Sequence, residues 1–252
     1  MLMARDIARA LDPALLAVDA GIALDDWQAE FVRSDAPQTA MLIPRQHGKT
    51  EAATIKSLSV ATTEPDSLIL IASPAQRLSD EFVRRSRKTY GRLADAPCLI
   101  GDAARRIEFE NGSRILACPG DNDGDTLRGL ANVRLAIIDE ASRCSDELIT
   151  AIRPMLATNP RAQLVYLSTP AGKRGAFYET WFANDPDWHR IRVELGSCDR
   201  ITPEFLERER KNLGETKFRQ EYLCEFLDTE DAAFGADIID AMFTNEVRPL
   251  WA

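Results

Sequence analysis

The sequence predicts an α/β fold with a central, mostly parallel β-sheet flanked by helices and a small helical segment after it. Three observations carry this. Four continuous apolar runs, Ala40-Met41-Leu42-Ile43, Leu68-Ile69-Leu70-Ile71-Ala72, Leu135-Ala136-Ile137-Ile138 and Leu164-Val165-Tyr166-Leu167, alternate with helical patterns. Strands covered on both faces are apolar throughout, which is the mark of a parallel sheet. Asn111-Gly112 separates two short strand-like runs, residues 106–110 and 113–116, so a hairpin is expected as an antiparallel insertion or edge. Past Leu195 the character changes: Thr202-Pro203-Glu204 caps a charged helix through about Leu213, Gly214 ends it, and a second helix carries Phe218-Arg219-Gln220-Glu221-Tyr222.

Composition sets the bounds. The 252 residues are 45% hydrophobic and 28% charged, enough for one compact domain with a buried core and a small appendage. The expected division is a core over residues 1–195, a helical lid or linker subdomain over 196–235, and a linker over 236–252. No apolar run of about 18 residues occurs and the start lacks a signal-peptide pattern, so no membrane association is expected. Five scattered cysteines and two distant histidines indicate neither a disulfide framework nor a structural zinc site. A net charge of −9 argues against a protein coated in nucleic acid through a bulk positive field, so any DNA contact must be local or shared among subunits.

The first strand runs into Pro44-Arg45-Gln46-His47-Gly48-Lys49-Thr50 and then a helical stretch. Strand, loop, Gly-Lys-Thr and helix point backbone N–H groups and a helix N-terminus at phosphate. Lys49 would reach the β- and γ-phosphates of ATP, the Thr50 hydroxyl would ligate Mg²⁺, and a Cβ at Gly48 would obstruct the phosphates. The usual first glycine of such a loop is missing, its place being held by Ile43. Taken alone, a Gly-Lys-Thr turn at a helix start can equally be a turn without ligand.

The third strand ends in Asp139-Glu140-Ala141, which puts two carboxylates at the carboxyl edge of the sheet, where ligands bind in open α/β folds. Asp139 would hold Mg²⁺, and Glu140 would orient and deprotonate the attacking water, a role worth about 10²–10⁴ in rate. The alternative is that Asp-Glu-Ala-Ser merely caps the next helix. Gln28, on a helix with Trp27 ahead of the first strand, is the candidate for reading adenine, because an amide offers both a donor and an acceptor. Ser168 and Thr169 end the fourth strand as candidate γ-phosphate sensors, or simply as a strand exit. Arg128, in the polar stretch 121–130, is suited to stabilising charge on a transferring phosphoryl group, or is a solvated surface residue. That acidic stretch is not a calcium loop, because Asn132 falls where the twelfth-position glutamate is required.

In this order, Trp27-Gln28, the glycine-poor loop 45–50, Ser73-Pro74-Ala75-Gln76, Thr126-Leu127-Arg128-Gly129, Ile138-Asp139-Glu140, Ser168-Thr169-Pro170 and the late 218–222 segment with Phe226 closely resemble the large terminase family of tailed bacteriophages. The resemblance covers residues 24–227 and implies a P-loop NTPase of the RecA-like kind. It implies that Arg45 is a nucleotide-contacting, catalytic loop residue, that Arg128 is an arginine finger acting on a neighbouring subunit, and that Ser168 and Thr169 are a coupling motif. It further implies an ATPase that moves double-stranded DNA into a procapsid as a homo-oligomeric ring in the host bacterial cytoplasm, with the portal and the small terminase subunit as partners. The family's nuclease domain is not expected within this chain. Two other readings share these features: the first RecA-like lobe of a superfamily 2 helicase, and a nucleotide-binding assembly module with little turnover. The basic stretches 84–88, 105–106 and 173–174 are candidate DNA contacts, though the first is also what a solvated helix face looks like.

Overall fold

The computed structural model describes residues 2–94, 96–118, 130–198 and 200–228. Among them an eight-stranded sheet forms, in the order β3-β4-β5-β2-β6-β7-β1-β8. The strands are β1 (Gln38–Leu42), β2 (Leu68–Ala72), β3 (Leu99–Ala103), β4 (Arg106–Phe109), β5 (Arg114–Ala117), β6 (Val133–Asp139), β7 (Gln163–Ser168) and β8 (Trp188–Arg192). From β5 to β8 every pairing is parallel, and only β3-β4-β5 is antiparallel. The four apolar runs are therefore the inner strands β1, β2, β6 and β7, as expected.

The alternation of side chains along each strand divides the core in two. Met41, Ile69, Ile71, Leu135, Ile137, Val165 and Leu167 face helices α2 (Leu15–Asp19), α3 (Asp26–Arg33), α4 (Lys49–Thr63) and α5 (Gln76–Tyr90). Leu42, Leu68, Leu70, Ala136, Ile138, Leu164 and Tyr166 face α6 (Asp146–Ile152) and α7 (Gly175–Phe182). Helices on both faces explain why these strands are apolar throughout. Helix α4 is buried at every position from Ala52 to Ala61. Its alanines and serines let it lie between the sheet and α3 and α5, which a helix with one polar face would not tolerate.

The Asn111-Gly112 turn joins β4 to β5, but β5 also pairs in parallel with β2, so the hairpin is built into the sheet rather than appended to it. Strands β3 and β8 and the N-terminal helices α1 (Leu2–Leu11) and α2 extend the expected architecture. Helix α8 (Pro203–Leu213) starts at Thr202, whose side chain accepts from the Phe205 N–H at 3.3 Å, and stops at Gly214 with φ +76°. Helix α9 (Glu215–Tyr222) buries Phe218 and Tyr222. Arg45 N–H donates to the Glu221 carbonyl at 2.9 Å, and Arg192 Nη2 to the Leu223 carbonyl at 2.9 Å, which ties α9 to the carboxyl ends of β1 and β8.

Candidate functional site

The loop 43–50 leaves β1 at the carboxyl edge of the sheet and opens α4. Ile43, where a first glycine would stand, still donates to Ser168 O at 3.0 Å and is fully buried. It is a ladder residue, so no left-handed conformation is required there. The reversal falls later, at Gln46 (φ 62°) and Gly48 (φ +83°). A Cβ at Gly48 would lie 2.6 Å from Gln28 Nε2. The glycine is thus demanded by its left-handed backbone and by a neighbouring side chain, beyond the phosphate clearance that the sequence suggested.

The Gln28 side chain lies between α3 and the loop. It is fully buried; its Oε1 accepts from the Asp25 N–H at 2.8 Å and its Nε2 donates to Gly48 O at 3.1 Å. Through these two bonds the amide fastens α3 to the loop. Trp27, beside it on α3, is buried in the core cluster. His47 is fully buried, with Nδ1 2.9 Å from Arg45 O and Nε2 3.1 Å from Leu195 O, so its ring fixes the loop to the segment after β8.

Strand β7 lies between β1 and β6, and the carboxylates that end β6 meet the loop across it. Lys49 Nζ forms an ion pair with Glu140 Oε1, and Thr50 Oγ1 lies 3.4 Å from Asp139 Oδ2. Asp139 is 8% exposed; burial pushes its carboxyl above the usual range, and the Lys49 charge only partly opposes this. Beyond the Glu140 N–H at 3.1 Å its partners are few. Thr50 and Asp139 are thus an oxygen pair suited to Mg²⁺, which binds through one or two protein oxygens plus phosphates and water. Among the described residues no cluster of three or more His, Cys, Asp or Glu could form a closed metal cage.

Glu140 has φ 56° and ψ 42°, a left-handed conformation that glutamate rarely adopts. Such a residue costs about 1–3 kcal/mol and persists only where its surroundings impose it. The chain then makes a 3-10 turn, Ala141–Arg143, and it is Ser145 that caps α6, accepting from the Leu148 N–H at 3.3 Å. Asp139 and Glu140 are therefore not the cap of the next helix.

Two participants, Arg143 and Glu221, were not foreseen as site residues. Arg143 Nη1 donates to Glu140 Oε2 and to Thr169 Oγ1, each at 3.0 Å, and its Nη2 to Glu221 Oε1 at 2.8 Å. Thr169 Oγ1 in turn donates to Glu221 Oε2 at 3.3 Å. Ser168 is bound to Ser142, which also donates to Thr169 O, each at 2.7 Å. Ser168 and Thr169 thus join the carboxylate turn on one side and α9 on the other. Arg45, 57% exposed, keeps its Nε 4.0 Å from Glu221 Oε2. Arg128 lies outside the described residues. In the basic stretches Arg84, Arg87, Arg105 and Arg106 pair with Glu81, Asp102, Asp80 and Glu108, and Lys173 pairs with Asp228. Arg85 and Lys88 of the first stretch are exposed and belong to none of these pairs. No helix of the described residues is long and apolar enough to cross a membrane.

A family profile described as terminase large subunit, T4likevirus-type, N-terminal, matches residues 40–240. The fold is similar to the large terminase ATPase domain of Thermus phage P74-26, at 23% identity and a TM-score of 0.72, over 84% of this chain and 97% of that one. It is similar to the HK97 bacteriophage large terminase at 17% identity and TM-score 0.68, over 81% of this chain and 51% of that one. It also resembles the large terminase of the thermophilic bacteriophage D6E in complex with ADP, at 13% identity and TM-score 0.65, over 81% and 54%. The chain spans about half the length of the latter two. None of the curated proteins matches it.

Proposed function

The chain belongs to the terminase large subunit family, within its N-terminal region, and on that premise we propose that it is the ATP-hydrolysing motor domain that drives double-stranded DNA into an empty capsid. What supports this above all is the convergence of Lys49, Thr50, Asp139 and Glu140 at the helix α4 N-terminus, on the carboxyl edge of the sheet. The loop N–H groups and the helix end attract the phosphates, and Lys49 exchanges Glu140 for the β- and γ-phosphate oxygens. Thr50 and Asp139 would hold Mg²⁺, which supplies neutralisation of the phosphate charge. Glu140, released from Lys49, orients a water and takes its proton as the water oxygen attacks the γ-phosphorus and the bond to the β-phosphate oxygen breaks. Arg45 contacts nucleotide from the loop, and Arg128 of a neighbouring subunit stabilises the charge on the transferring group.

By the same proposal the chain acts as a homo-oligomeric ring around double-stranded DNA in the host bacterial cytoplasm, with portal and small terminase subunits as partners. Helices α8 and α9, within the lid or linker segment expected over residues 196–235, serve as a lid over the nucleotide; residues 229–252 lie outside the described residues. Steady-state ATP hydrolysis against protein concentration tests this, using the parent, Glu140→Ala, Arg128→Ala and a mixture of the two variants. The expected outcome is a more than linear rise with concentration, loss of turnover by about 10²–10⁴ in Glu140→Ala, and partial recovery in the mixture. Turnover that is linear and indifferent to Arg128→Ala would favour a self-contained NTPase. No turnover at any concentration would favour a binding module.

A further inference from the structure

The two carboxylate oxygens of Glu140 are held by different kinds of partner. Oε1 pairs with Lys49, a mobile point charge that a phosphate can draw away. Oε2 accepts from Arg143 Nη1 at 3.0 Å, and Arg143 is itself held by two other groups, Thr169 Oγ1 at 3.0 Å and Glu221 Oε1 at 2.8 Å. A guanidinium is a rigid plane, so fixing Nη2 on Glu221 fixes the direction in which Nη1 points. Glu221 is only 14% exposed and touches three elements of the site: its backbone carbonyl accepts from the Arg45 N–H of the loop at 2.9 Å, while its carboxylate reaches the end of β7 at Thr169, 3.3 Å away, and the turn after β6 at Arg143.

We propose that Glu221 is a positioning residue for ATP hydrolysis: by holding Arg143 away from a two-pronged grip on Glu140, it leaves Oε1 free for water once Lys49 moves to the phosphates. This rests on the ATPase reading given above. Without the Glu221 charge, Arg143 can turn both Nη atoms onto Glu140 as a bidentate pair, the preferred arrangement of guanidinium and carboxylate. That would pull the base out of line, and a misplacement of about 1 Å is enough for a large loss of rate. Because Glu221 sits on α9, any displacement of that helix would act on Glu140 through Arg143.

The test is steady-state kinetics and thermal unfolding of the parent, Glu221→Gln, Arg143→Lys and the double variant, at a protein concentration where parental turnover per chain has levelled off. Glutamine keeps the size of Glu221 and one acceptor oxygen for Arg143 without the charge, and lysine keeps the charge of Arg143 without the rigid planar fork that fixes where Nη1 and Nη2 point. Each single variant is expected to lose about tenfold in kcat with KM for ATP within about twofold of the parent, and Glu221→Gln is expected to keep the parental Tm. The double variant should be no slower than the slower single one, because both break one connection. Parental kcat in Glu221→Gln, losses that multiply in the double variant, or a KM that rises as much as kcat falls would each overturn the inference while the ATPase reading stands. A parent inactive at every concentration would remove the reading, and the inference with it.

Discussion

The two edges of the parallel sheet both carry charge, and they treat it differently. At the amino edge Arg134 donates to both Glu64 oxygens at 2.8 Å and to Gln163 Oε1 at 3.2 Å. Gln163 Nε2 donates to Ser34 O and Ala36 O, and Lys56 Nζ to the carbonyls of Phe31, Val32 and Ser34. Donors and acceptors there are matched, and the network staples α3, α4, β6 and β7 together. At the carboxyl edge Asp139 is buried with few partners, Glu140 is left-handed, and Lys49 retains donors beyond its single carboxylate. A saturated network holds a scaffold; an undersaturated one is ready to take a ligand.

The comparison can be broken most easily at Arg134. Arg134→Met removes both prongs from Glu64 in a pair that is only 11% and 21% exposed, and is expected to cost about 3 kcal/mol of unfolding free energy. Urea unfolding measures this, and a loss below about 0.5 kcal/mol would mean that the amino edge is not a staple.

Lys56 sharpens the contrast through pH. Burial, helped by the Arg134 charge, lowers its pKa to about 8, from 10.5 in an unfolded chain. Below about pH 8 the ammonium is charged in both states and its full cost is present. As pH rises from 8 towards 10.5 the folded state has given up a proton that the unfolded state still holds, so stability increases. Between pH 7.5 and 10 the parent should gain about 2 kcal/mol relative to Lys56→Met. Equal pH dependence of the two proteins would contradict this.

The smallest effect is expected at the other edge and has the opposite sign. Asp139 has a folded pKa above its unfolded value, so its contribution worsens as pH rises through that interval. Asp139→Asn should therefore raise the melting temperature of the ligand-free chain at neutral pH, with the gain shrinking in acid, while ATP hydrolysis is lost. Melting temperatures at neutral pH and near pH 4 decide it.

How far the sequence carried the fold depended on burial. Strands β1, β2, β6 and β7 were legible because both of their faces are covered. Strand β8 was not, because at the sheet edge Trp188 is buried while its neighbours His189 and Arg192 face solvent, and so its five residues give no apolar run. Strand β3 is exposed along most of its length for the same reason. In the site, Lys49, Thr50, Asp139 and Glu140 could be named because each adjoins the strand or helix that positions it. Gln28 was placed on the correct helix, but its internal bonds to the Asp25 N–H and the Gly48 carbonyl were not legible, since no local pattern shows that Gly48 leaves room for its amide. Arg143 and Glu221 are 78 residues apart, and their link exists only because α9 folds back. The segment 218–222 was noticed as a pattern, and only tertiary approach gives its glutamate a task.

The insertion of β7 between β1 and β6 makes the sheet a gauge. Neighbouring strands are about 4.8 Å apart, so the strand bearing the loop and the strand bearing the carboxylates are held about 10 Å apart by peptide hydrogen bonds alone. A spacing written in the backbone is indifferent to which side chains clothe it. Sequences can drift far around such a gauge without changing it, as folds that still superpose at TM-scores of 0.68 and 0.72 with 17% and 23% identity illustrate.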